Sequence, residues 1–138
     1  MYLIAQKNVM NIKQLIDIYI HSEEIVSSRE TSSSEKKEKC KDIELRLEHV
    51  LQKCTLDDLR VIYAVASIGS HERGERHYYS NNSIEIIELD IRENEEELIF
   101  KHSKYISFLT KEELIEYFLS QAFMTQSLNE GMKILKLS

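Results

Sequence analysis

Apolar side chains recur at Val9, Ile12, Leu15, Ile16, Tyr19 and Val26. That spacing keeps returning to one side of a 3.6-residue helix, and it predicts a first helix over 8–27. The polar run 28–34 follows and reads as a loop. Ser32 and Glu35 then match a capping box, in which hydroxyl and carboxylate each satisfy a free backbone N–H. The helix they open turns Ile43, Leu47, Val50, Leu51 and Cys54 to one side. Thr55 and Asp58 form a second box. Behind it lie Leu56, Leu59, Val61, Ile62, Ala64, Val65, Ala66 and Ile68, apolar nearly all round. A helix of that kind has no wet face, so 56–68 is expected at the centre of the molecule. Gly69 is placed to end it in a left-handed conformation.

Beyond Gly69 the periodicity stops. Residues 69–82 read as a long polar loop with room for one helical turn. Residues 83–102 fit two patterns. Ile84, Ile87 and Ile91 suit a helix opened by Asn82 or Ser83, whereas Ile87, Leu89 and Ile91 suit an alternating strand. The glutamates favour helix and the isoleucines strand. Helix is the preferred reading, with a short β-hairpin at 84–100 as the alternative. Thr110 and Glu113 make a third box for a helix carrying Leu114, Ile115, Phe118 and Leu119. Ser120 is placed either to cap a last helix or to sit within one. That helix turns Phe123, Leu128, Met132 and Leu135 inward. The fold class is therefore all-α: one domain over 1–138, with five or six helices around the buried one at 56–68.

Composition agrees. The 138 residues include no proline and three glycines, so few positions interrupt helices. The first residues lack the pattern of a signal peptide, and no apolar run is long enough to span a bilayer. A cytoplasmic location without membrane partners is the expectation. Cys40 and Cys54 are expected on one helix, fourteen residues and about 21 Å apart, too far for a disulfide and both facing inward.

Two stretches resemble a family of small bacterial proteins whose domain has no assigned function. One runs from Tyr117-Phe118-Leu119 through Ser120-Gln121-Ala122-Phe123-Met124 to Leu128-Asn129-Glu130-Gly131-Met132. The other runs from Leu56-Asp57-Asp58-Leu59-Arg60 to Ile68-Gly69, where the family continues with arginine and this chain with Ser70. The family's proline near Ala122 is also absent. The resemblance implies a small helical fold and carries no activity.

Charge changes the picture most. The formal net charge is −6, and residues 83–100 alone hold seven acidic groups against one basic group. Such a field repels duplex DNA and steers basic partners. Glu88, Asp90, Glu93, Glu95, Glu96 and Glu97 are the candidate partner-binding residues. The loop carrying His71, Arg73, Arg76, His77, Tyr78 and Tyr79 is the alternative. Its arginines suit a bidentate grip on an anion and its tyrosines suit stacking on a base. His71 and His77 lie six apart around Gly74, a spacing that does not align metal ligands on a helix. No serine elbow, activated cysteine or phosphate-cradling loop is legible. The expectation is a protein-binding module without catalytic residues, metal or cofactor. Its most concrete form is a small inhibitor of the immunity, antitoxin or anti-defence type acting on a basic protein. A ligand- or nucleic-acid-binding regulator is the alternative, and a homo-oligomer stays open.

Overall fold

The computed structural model describes residues 1–28, 32–72, 77–80, 83–86, 94–121 and 124–137. Among them are seven α-helices: α1 (Tyr2–Lys7), α2 (Val9–Ser27), α3 (Ser33–Lys53), α4 (Leu56–His71), α5 (Glu95–Ser103), α6 (Lys111–Ser120) and α7 (Thr125–Ile134). A 3₁₀ turn, Lys104–Ile106, follows α5. A two-stranded antiparallel hairpin joins β1 (His77–Ser80) to β2 (Ser83–Ile86), with Tyr78 opposite Glu85 and Tyr79 opposite Ile84. No helix among the described residues is long and apolar enough to cross a membrane.

The all-α expectation holds, with α4 at the centre. Leu59, Val61, Ile62, Ala64, Val65, Ala66 and Ile68 are all buried, and α4 packs against α1, α5, α6 and α7. Around it, α2 packs on α3 and α7, and α3 also leans on α6. The Thr55–Asp58 and Thr110–Glu113 boxes close in both directions. Ser32 supplies only the hydroxyl half of its motif, accepting from Glu35 N–H at 3.3 Å.

Several expectations need correction. Asn8 divides the first segment, so α1 precedes α2. Ile25 rather than Val26 faces the core. Gly69 does not end α4: it lies inside the helix, where α7 crosses. A β-carbon on Gly69 would meet the Ser127 carbonyl oxygen at 1.8 Å, and one on Gly131 would meet the Val65 carbonyl oxygen at 1.9 Å. The glycines let two backbones touch. The 69–82 loop is shortened from both sides, by α4 continuing to His71 and by β1. The helix expected over 83–102 begins only at Glu95, and the hairpin, His77–Ser80 with Ser83–Ile86, overlaps the alternative at 84–100 only in its second strand. Ser120 closes α6 instead of capping α7, whose N-cap is Met124.

Candidate functional site

The first turn of α5 places three of the predicted acidic residues. Asn94 Oδ1 accepts the Glu97 N–H at 2.9 Å, which caps the helix. Glu95, Glu96 and Glu97 then occupy the turn where helix dipoles favour negative charge. Glu96 Oε1 accepts from the Met1 amino group at 2.8 Å and its Oε2 from Tyr2 N–H at 2.7 Å. Those bonds, with the amino group's positive charge, hold its carboxyl below the usual value. Glu95 Oε1 sits 3.8 Å from Lys136 Nζ. Two of the three carboxylates are thus engaged within the molecule. Glu97 is exposed, and its carboxylate has no ion pair among the described residues. Glu88, Asp90 and Glu93 lie outside the described residues.

Sequence reasoning missed what stands beside these carboxylates. Phe100 is three residues after Glu97 and four after Glu96, so all three share one helical face. Its ring is on the surface, at 62% exposure. Tyr105 and Phe108 follow at 71% and 78%, the latter just past a turn pinned by Arg60 Nη2 donating to Ser107 O at 2.9 Å. Three large exposed aromatics thus fall within nine residues of chain. The legible signal was their position: Phe100 and Tyr105 fall off the stripe of Leu98, Ile99, His102 and Ile106 that faces inward. Leu3, also exposed, is on α1, which the Glu96 contacts fasten to α5.

The alternative site is only partly described. Arg73 and Arg76 lie outside the described residues. His71 ends α4 with Nδ1 2.9 Å from Ser67 O. His77, Tyr78 and Tyr79 belong to the backbone of β1. Among the described residues no group of three or more His, Cys, Asp or Glu is arranged to hold a metal.

A second constellation joins α4 to α5. His102 Nε2 lies 2.9 Å from Glu72 Oε1, and His102 Nδ1 lies 2.8 Å from Ser67 Oγ. Both His102 and Glu72 are buried, and Lys101 Nζ reaches the same Glu72 oxygen at 3.5 Å. With its proton on Nε2, the ring donates to Glu72 and accepts the Ser67 hydroxyl at Nδ1. The order serine, histidine, carboxylate is that of an activated nucleophile. Ser67, however, sits in the body of α4, where backbone N–H groups are bonded to carbonyls one turn back. The contacts satisfy buried polar groups across two helices. No local motif announces it, because its members are 30 and 35 residues apart.

Neither cysteine is disulfide-bonded. Burial, with Asp58 nearby, pushes the Cys54 thiol up, away from the thiolate form that reacts. Cys40 is half-buried against the core.

No protein-family model matches the chain, nor does any curated protein or solved structure.

Proposed function

We propose that this chain is a protein-binding module of the small-inhibitor type, of the immunity, antitoxin or anti-defence kind, which engages a basic partner through the exposed face of α5. One observation carries the reading: Phe100 stands exposed within a turn of Glu96 and Glu97 on a single helical face. Binding energy at interfaces concentrates in a few large side chains, often aromatic, while charged rims set approach and partner choice. Phe100, Tyr105 and Phe108 fit the first role, and Glu97, whose carboxylate has no ion pair among the described residues, fits the second. The acidic excess over 83–100 supplies the long-range field.

The test uses the whole chain and the double variant E97K/F100A. Neither side chain holds the fold: Glu97 meets the Asn94 cap through its backbone N–H, and Phe100 is on the surface. Each protein is used to capture partners from native cell extract, followed by mass spectrometry and reconstitution with the purified partner. A basic protein retained by the wild type and lost by the variant is expected. Equal retention by both contradicts the reading.

A further inference from the structure

Two clefts lie end to end between α2 and α3, at about 460 and 540 Å³, and share Leu45 and Arg46 as walls. Their floor is apolar, from Ile18, Ile25, Ile43 and Val50. Residues 14, 17, 18, 21 and 25 form one stripe of α2, and 39, 42, 43, 46, 50 and 53 one stripe of α3. The result is one continuous groove along a helical hairpin. On its α3 side Leu45 stands at 64% exposure.

The rim carries both signs of charge. Asp17 and Asp42 are acidic; Lys39, Arg46 and Lys53 are basic. None of the five has an ion pair among the described residues. The acidic excess of the chain lies in residues 83–100, away from the groove-lining residues of α2 and α3. This groove is different, being mixed in sign and apolar at its base. A basic partner gains little against a rim with three cations and two anions. A second copy gains more, because the charges are arranged to complement themselves. Asp42 and Arg46 lie four residues apart, about 6 Å along α3, with their midpoint one residue before Leu45. An antiparallel two-fold crossing there sets Asp42 opposite the partner's Arg46, and Arg46 opposite the partner's Asp42.

We propose that the α2–α3 groove is a self-association surface, and that two copies join their helical hairpins into a four-helix layer centred on the reciprocal Asp42–Arg46 pairs, with Leu45 beside the axis. Such an interface is isologous, the same patch used twice, which is the commonest arrangement in soluble oligomers. The proposal uses a different face from α5 and stands apart from the partner-binding reading.

Charge reversal tests it. The full chain, R46E and D42R are each run in sedimentation equilibrium over a range of concentrations, with circular dichroism confirming the helical fold of each. The wild type is expected at twice its 16.3 kDa. Each single reversal places like charges opposite each other twice, and is expected to weaken the dimer by about tenfold or more. An equimolar mixture of R46E and D42R restores opposite charges at both contacts, so it is expected to recover the dimer as a heterodimer. A wild type that stays monomeric throughout overturns the proposal. So do a dimer indifferent to both reversals, which places the contact elsewhere, and a mixture that stays monomeric.

Discussion

Asp58 shows how much one side chain carries. Its Oδ2 accepts from Thr55 N–H at 2.9 Å and its Oδ1 from Asn8 Nδ2 at 2.8 Å, so one carboxylate caps α4 and fastens it to the α1–α2 junction. Burial acts to raise its pKa, but the hydrogen bonds from Thr55 and Asn8, with Lys7 nearby, outweigh it and hold the carboxyl below its usual value. A carboxyl depressed in the folded state adds stability that is present above its unfolded pKa, about 4, and is lost as pH falls through the folded value. Glu96, depressed by its bonds to Met1 and Tyr2, acts in the same direction. Urea denaturation is therefore expected to show stability declining as pH drops below about 4–5. D58N should lose about 1–2 kcal/mol at neutral pH and show a shallower acid decline. An unchanged acid profile in D58N contradicts this assignment. His102 is the other residue of consequence. H102A removes the imidazole hydrogen bonds to the buried Glu72 carboxylate and to Ser67 and should destabilise by about 1–3 kcal/mol in the same assay. A loss under 1 kcal/mol would show that the α4–α5 link is not carried by this ring.

Among the elements, the contact between α4 and α7 is the most constrained. G131A forces a methyl into the Val65 carbonyl, so the helices must separate or tilt. A loss of about 1–3 kcal/mol is expected in chemical denaturation, and G69A should behave alike. A neutral outcome at both positions means that the helices are not in backbone contact. This contact also marks the limit of what the sequence makes legible. Helices whose apolar stripes face a packed neighbour could be read directly: Ile43, Leu47, Val50 and Leu51 are buried as the spacing requires. Gly69 was misread because an end-of-helix glycine and a close-contact glycine look identical until the crossing helix is known. Strand β2 was missed because Ile84, Ile87 and Ile91 also satisfy a helical period, while the pairing that decides the matter depends on Tyr78 and Tyr79 upstream. Asn81-Asn82 between the two runs was the available turn signal. The acidic cluster was legible as charge, but its internal use was not. Nothing local reveals that Glu96 reaches back to Met1, 95 residues earlier.

At the scale of the molecule, two faces emerge from one core. The α5 face joins carboxylates to exposed aromatics, and the α2–α3 groove joins an apolar floor to charges of both signs. The first is proposed to meet a foreign, basic partner and the second another copy. Their separation lets each be altered alone: E97K/F100A leaves the groove intact, and R46E leaves α5 intact. The most direct measurement is the affinity of the wild type and of E97K for the captured basic partner as sodium chloride is raised. The wild type should bind more weakly as salt screens the field, and E97K should be weaker at low salt with a flatter dependence. Two superimposable salt curves would mean that the first turn of α5 does not meet the partner.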